Sequence, residues 1–282
     1  MARPRLDALE VRRTLRAAGL RAHHGRSQNF LADPDVLEAI LDVASPAPGT
    51  RVLEIGPGLG ILTRGLLDAG AVVTAIELDA GLAAYLRGDL GPALESGALR
   101  LIEGDALDQD LAHVVAPPYD VVANLPYHVT SPILHRLLDS EPRPRGLVLM
   151  VQAEVADRIA APPGRMSYLS VFVQYHAAVR VALRVPPEAF EPAPKVASAV
   201  VVLEPHPSTP LPPEREADLW RLVQAGFRER RKMLRNVLAR QLPHLGTGGR
   251  LDQALETAGI AGDRRPQTLS VGDWLRLFEL LG

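Results

Sequence analysis

The chain has 282 residues, no cysteine and a formal net charge of −2, which excludes disulfides, thiolate metal sites and a uniformly basic nucleic-acid binder. With 47% of its residues apolar, it can bury the cores of one large domain and one small one. No apolar run approaches the ~20 residues that a bilayer requires, and the start, MARPRLDALEVRR, lacks the apolar centre of a secretory signal, so a cytoplasmic protein without a membrane partner is expected.

In chain order, Arg3, Arg5, Arg12, Arg13, Arg16, Arg21 and Arg26 crowd the N-terminus against only Asp7 and Glu10. Arginine suits bidentate phosphate contacts, although a GC-rich coding sequence gives the same bias without function. The polar stretch Ser27-Gln28-Asn29-Phe30-Leu31 reads either as a loop capping a ligand or as a helix-entry turn. From about residue 50, short apolar runs alternate with helical patterns, as in a parallel α/β sheet. RVLEIG (51–56) leads through glycines into the helical ILTRGLLDAG, AVVTAIELD (71–79) leads into the helical GLAAYLRG, and LRLIEGD (99–105) comes third. YDVVANLP (119–126) precedes a helix beginning near Thr130, and GLVLMVQ (146–152) is the fifth run. Two late strands, near Val179–Val185 and Val196–Leu203, are joined by VPPEAFEPAPK. That loop is too short for a crossover helix, so the two should pair antiparallel.

EPHPSTPLPPE (204–214) contains five prolines and reads as a linker. Beyond it, Leu219, Leu222, Phe227, Leu234, Val237 and Leu238 recur at roughly helical spacing, and no strand pattern follows. The expected architecture is α/β. Residues 1–205 should form a Rossmann-like domain, a seven-stranded mostly parallel sheet with an antiparallel last strand, preceded by a basic extension. Residues 206–282 should form a small all-helical domain. Arg228, Arg230, Arg231, Lys232 and Arg235, interrupted only by Glu229, make that domain the expected RNA-binding part.

Glu54-Ile55-Gly56-Pro57-Gly58-Leu59-Gly60 lies between a strand and a helix. Glycines there let the backbone approach a nucleotide-like ligand beside a helix N-terminus. Alone, such a turn also fits a tight connection without a ligand. Two further residues add weight. Glu77 ends the second strand, where a carboxylate can accept both ribose hydroxyls of an adenosine, and Asp105 ends the third, where it can meet the adenine amino group. A dinucleotide fingerprint needs a third glycine where Ile61 stands, so the set favours S-adenosylmethionine over NAD.

Asn124-Leu125-Pro126-Tyr127, at the end of the fourth strand, is the sharpest signal. An adenine amino nitrogen is a poor nucleophile because its lone pair is delocalised into the ring. Two acceptors, the Asn124 side-chain oxygen and the Leu125 carbonyl, can hold its hydrogens and turn the lone pair toward a sulfonium methyl. Pro126 stiffens the turn, and Tyr127 offers a stacking face. Phe190, in the proline-rich FEPAPKV, either closes the far side of a base pocket or packs in the core. His23, His24, His128, His135 and His176 show no metal-site spacing, so no metal is expected. Glu154 and Asp157, three residues apart, read as solvated acids.

These motifs in this order resemble the rRNA adenine dimethyltransferase family of the KsgA/RsmA type over nearly the whole chain. The matching segments are QNFL (28–31), VLEIGPGLGILT (52–63), IELD (76–79), GDAL (104–107), NLPYHVTSPIL (124–134), MVQAEVADR (150–158), FEPAPKVASAVV (190–201) and FRERRKMLRNVL (227–238). The resemblance implies a class I methyltransferase fold. It also implies transfer of two methyls to each of two adjacent adenines near the 3′ end of 16S rRNA, late in assembly of the small ribosomal subunit. Cofactor binding is implied at Asn29, Leu31, Gly56, Glu77, Asp105 and Asn124, and base-facing roles at Asn124, Leu125, Tyr127 and Phe190. A monomer is expected. The chain departs from the family pattern at Ser27, usually glycine, and at Met166-Ser167, usually Tyr-Gly.

Three rivals remain. An Erm-type enzyme acting on 23S rRNA usually carries a turn nearer EIGSGKG and often NIPY, whereas this chain has Gly-Pro-Gly and NLPY. A non-catalytic RNA-binding or transcription factor on the same fold conflicts with intact Glu77, Asp105 and Asn124. A small-molecule methyltransferase leaves NLPY and the distal arginines unexplained.

Overall fold

A computed structural model of the chain describes residues 7–22, 28–111, 113–246 and 249–281. Arg3, Arg5, His23, His24, Arg26 and Ser27 lie outside the described residues. The chain divides into two compact units, one of residues 1–156 and 179–205, the other of residues 157–178 and 206–282.

The first unit is built on the expected sheet. Its strands are β1 (Phe30–Leu31), β2 (Arg51–Ile55), β3 (Val72–Glu77), β4 (Leu99–Glu103), β5 (Asp120–Asn124), β6 (Leu147–Gln152), β7 (Ala177–Val185, counted here from Val179 on), β8 (Phe190–Glu191) and β9 (Ser198–Pro205). Seven of them form one sheet in the order β4-β3-β2-β5-β6-β9-β7. The strands from β4 to β6 run parallel, and β9 runs antiparallel to β6, with Ser198 opposite Gln152 and Leu203 opposite Leu147. Interior strands of such a sheet are covered on both faces and so read as continuous apolar runs. Val52, Leu53, Val73, Val121, Leu147 and Leu149 are accordingly fully buried.

β1 and β8 form a separate two-stranded antiparallel ladder, pairing Phe30 with Glu191 and Leu31 with Phe190. Two-residue strands carry no periodicity, so the sequence does not announce this ladder. The helix Ala8–Ala17 packs Val11 and Leu15 against Phe30, Leu59 and Leu82, and exposes Arg12, Arg13 and Arg16. Asp7 caps it, accepting from the Glu10 N–H at 2.8 Å.

The second unit is helical, with Tyr168–His176, Pro213–Phe227, Leu234–Gln241, Arg250–Thr257 and Val271–Leu281 as its longer elements. It is larger than the expected 206–282. Residues 157–178 belong to it because Met166, Val171 and Tyr175 enter the core that holds Leu219, Leu222 and Trp274. Ser167 caps the helix Tyr168–His176 in a reciprocal capping box with Ser170, so the Met166-Ser167 departure falls on one core residue and one helix cap. Gly226 is small for a packing reason: a Cβ there would come within 2.4 Å of the Trp274 ring.

Candidate active site

The parallel strands point their carboxyl ends the same way, and ligands in such sheets bind where the strand order reverses. Here that point lies between β2 and β5. Gly56, just past β2, and Pro126, just past β5, meet there so closely that a Cβ on Gly56 would lie 3.5 Å from the Pro126 ring. A cavity of about 150 Å³ opens at this place.

Asn29, Leu31, Gly56, Glu77, Asp105, Asn124, Leu125 and Tyr127 all line this cavity. The last six sit at or just beyond strand ends, as their sequence positions imply. Asn29 and Leu31 come instead from the loop and short strand that β8 holds in place, Leu31 itself being part of β1. The glycine turn passes through left-handed backbone at Gly56 (φ 72°) and Gly58 (φ 59°), which other residues rarely adopt. A Cβ on Gly58 would also meet the Phe30 ring at 3.1 Å.

Glu77 organises this turn. Its Oε2 accepts from the Gly58 N–H and its Oε1 from the Asp79 N–H, both at 2.9 Å. Each carboxylate oxygen keeps a second lone pair, so the ribose reading survives with these backbone bonds in place. Burial pushes the Glu77 carboxyl up, and the two backbone hydrogen bonds oppose that rise. Glu54, 1% exposed, also lines the cavity. Desolvation raises its pKa to about 8, with the Thr63 hydroxyl, which donates to Oε2 at 2.7 Å, pulling the other way and Glu77 adding to the rise. Near neutral pH Glu54 therefore holds its proton, which spares Glu77 a like charge in the same wall.

Asp105 accepts from the Leu107 N–H at 2.8 Å, which fixes its carboxylate just past the end of β4. Asn124 is half-buried at the end of β5, and its side chain makes no hydrogen bond to another described residue. Leu125 is 1% exposed and donates its N–H to the Met150 carbonyl at 3.0 Å, so the peptide between the two residues is fixed to β6. Tyr127 is half-buried, and its phenol bonds the Ser198 hydroxyl at 2.7 Å. Burial raises the Tyr127 pKa, which keeps the phenol protonated.

The structure does not bring Phe190 to the cavity. It is 2% exposed and packs in the core with Leu31, Val185, Ala189 and Val200, the second of the two readings its sequence allowed. The arginine segment also differs from a helix. Arg228, Arg230, Arg231 and Lys232 are exposed on the turn after Phe227, and only Arg235 lies on the next helix. Arg235 forms a two-point ion pair with Asp252, at 2.5 and 2.8 Å.

Sequence reasoning missed several cavity residues. Leu78, 47% exposed, offers an apolar face directly beside Glu77, and an apolar residue trailing a strand-end carboxylate was the available signal. His128 also lines the cavity from an exposed position. Ser198 is not part of the lining but bonds Tyr127 from 71 positions away, and no local pattern announces it.

The donor set fits S-adenosylmethionine. A buried carboxylate with spare lone pairs, a glycine turn open to close backbone approach, a second carboxylate one strand further on and an uncommitted amide all face one cavity. Residues 19–282 match the family model described as ribosomal RNA adenine dimethylase. The chain is 42% identical to ribosomal RNA small subunit methyltransferase A of Anaeromyxobacter sp. (strain K), covering 93% of this chain and 94% of that one. It is 43% identical to the protein of the same name from Thermosynechococcus vestitus, with 93% and 97% covered. Among solved structures, a dimethyladenosine transferase from Plasmodium falciparum matches with a TM-score of 0.74 at 28% identity, covering 88% of this chain and 95% of that one. The 23S rRNA methyltransferase ErmE matches at 0.69 and 30% identity, covering 90% and 99%. The chain thus belongs to the ribosomal RNA adenine dimethylase family and is an S-adenosylmethionine-dependent rRNA adenine methyltransferase.

Proposed function

We propose that this chain dimethylates two adjacent adenines near the 3′ end of 16S rRNA in the small ribosomal subunit, late in subunit assembly, acting in the cytoplasm as a monomer. The observation that carries the reading is the Asn124–Tyr127 turn, packed against the glycine turn at the point where the strand order reverses. Among the described residues no helix is long and apolar enough to cross a membrane, in keeping with an RNA partner.

In this reading, Asn29, Leu31, Gly56, Glu77, Asp105 and Asn124 hold the cofactor, with Glu77 on the ribose and Asp105 on the adenine. S-adenosylmethionine, when bound, supplies an electrophilic methyl group on its sulfonium. The Asn124 side-chain oxygen and the Leu125 carbonyl each accept one hydrogen of the target amino group. That grip orients the nitrogen lone pair and stabilises the positive charge that grows on nitrogen during transfer, more than it stabilises the resting base. Tyr127 stacks on the extruded adenine. The second transfer needs the same grip with one hydrogen fewer, so the Asn124–Leu125 pair must tolerate an N-methyl group in place of one hydrogen. Arg228, Arg230, Arg231 and Lys232 contact RNA phosphates.

The small subunit is preferred over the large on residue grounds and on similarity. Pro57 and Leu59 stand where an EIGSGKG-like turn has serine and lysine, and NLPY stands in place of NIPY. The two relatives above named for the small subunit are 42–43% identical over 93% of this chain, whereas the solved dimethyladenosine transferase and ErmE, at 28% and 30%, do not separate the two substrates. The test is incubation with labelled S-adenosylmethionine and undermethylated small or large subunits, followed by mapping of the modified bases. Label on two adjacent small-subunit adenines is the expected result. Label on the large subunit alone overturns the substrate reading in favour of Erm-type activity.

A further inference from the structure

Ser198 is the first residue of β9 and is fully buried. The residues after it, Ala199, Val200, Val201 and Val202, are the apolar run that a sheet interior favours. A hydroxyl at the head of that run needs a hydrogen-bond partner, because burying one unpaired is unfavourable. Among the described residues its partner is the Tyr127 phenol, at 2.7 Å. Tyr127 is thereby held at both ends: its backbone by the turn that begins at Asn124, and the far tip of its ring by a strand 71 positions later. Tyr127 itself is half-buried and lines the cavity.

Resting on the substrate reading above, we propose that Ser198 is a positioning residue for base capture, fixing the Tyr127 ring as a stacking platform before the adenine arrives. A ring fixed in the free protein has already lost the rotamer freedom that binding would otherwise remove. The role is separate from the chemistry at Asn124, and it changes how Tyr127→Phe should behave. Phenylalanine keeps the stacking face but releases the ring tip and leaves the Ser198 hydroxyl unpaired.

The test compares wild type, Ser198→Ala, Tyr127→Phe and the double variant. Single-turnover methylation is measured on undermethylated small subunits, and base extrusion by the fluorescence of RNA carrying 2-aminopurine at the mapped adenine. RNA affinity and calorimetric cofactor affinity are measured alongside. Each single variant should lower the maximal rate and the fluorescence change by about two- to tenfold, the scale of one neutral hydrogen bond. Cofactor affinity measured without RNA, and RNA affinity measured without cofactor, should stay as in wild type. The double variant should be no slower than either single, because both lose the same bond and the double leaves no polar atom stranded. Ser198→Thr, which keeps the hydroxyl, should retain the rate. If Ser198→Ala does not fold, Tyr127→Phe against Ser198→Thr carries the comparison. Wild-type rate and fluorescence in a folded Ser198→Ala, or losses that simply add in the double variant, overturn the proposal. A wild-type protein that labels no small-subunit adenine fails earlier, at the substrate reading, and removes the proposal with it.

Discussion

Thr63 gives Glu54 one hydrogen bond, yet burial still lifts its pKa to about 8. From the ordinary value near 4.5 up to about 8, the folded chain keeps a proton that the unfolded chain releases. Stability should therefore fall as pH rises through that window and level off above it. Glu54→Gln cannot ionise, so in denaturant titrations it should match wild type near pH 4 and exceed it by a few kcal/mol, to order of magnitude, near pH 9. Parallel pH profiles for the two proteins would count against a protonated Glu54. Glu77 has a double task. Glu77→Ala removes the acceptor of two backbone N–H groups and, in the proposed reading, of the ribose hydroxyls. The expected outcome is at least tenfold weaker cofactor binding by calorimetry together with a loss of about 1–3 kcal/mol in stability. A variant that loses neither would take Glu77 out of the site. In the proposed mechanism Asn124 acts on the rate. Asn124→Ala should slow single-turnover methylation roughly a hundredfold or more, the scale seen when one preorganised hydrogen-bond group is removed, while RNA binding is nearly unchanged. Near-normal chemistry in that variant would overturn the mechanism and leave the fold assignment standing.

At the scale of elements, the basic segment after Phe227 divides by what each arginine already touches. Arg230 and Arg231 are exposed on a turn, whereas Arg235 is paired with Asp252. Replacing Arg230 and Arg231 with glutamine should weaken RNA binding and make its salt dependence shallower by about one unit of slope per arginine. Arg235→Gln should change that slope much less, because its charge is partly engaged within the protein. Equal slopes in wild type and the double variant would reduce the turn to a solvated surface. The sequence carried the interior parallel strands because they are covered on both faces and so are largely apolar, as Val121–Ala123 and Leu147–Val151 are, whereas the edge strand Leu99–Glu103 exposes Arg100 and Glu103. It carried part of the cavity wall because Glu77 and Asn124 end such strands and Asp105 lies just past one. It did not carry the ladder of Phe30–Leu31 with Phe190–Glu191, since two residues cannot show a period. Nor did it carry the role of Phe190, for which core and pocket readings share one apolar side chain.

At the scale of the whole molecule, linear order misled in one respect. The proline-rich 204–214 stretch is visible by composition, but nothing local to residues 157–178 says that Met166 and Tyr175 share a core with Trp274. Such membership is decided by distant partners. The same holds for Ser198, whose partner is chosen by the sheet and not by its neighbours. The segment Phe190–Ser198 also joins two ligand walls. Its start is laddered to the strand carrying Leu31, and its end is bonded to Tyr127. A tether made fast at both ends carries stiffness from one to the other. A nucleoside that quiets the Leu31 end lowers the entropy lost when the Tyr127 end takes up a base. By reciprocity, RNA must then tighten the nucleoside by the same factor. S-adenosylhomocysteine should thus raise RNA affinity several-fold in wild type and less in Ser198→Ala, as titrations in both directions can measure. Identical RNA affinity with and without the nucleoside would mean that the tether is slack. A taut one makes the seating of the methyl donor and the gripping of the adenine favour each other equally, whichever comes first.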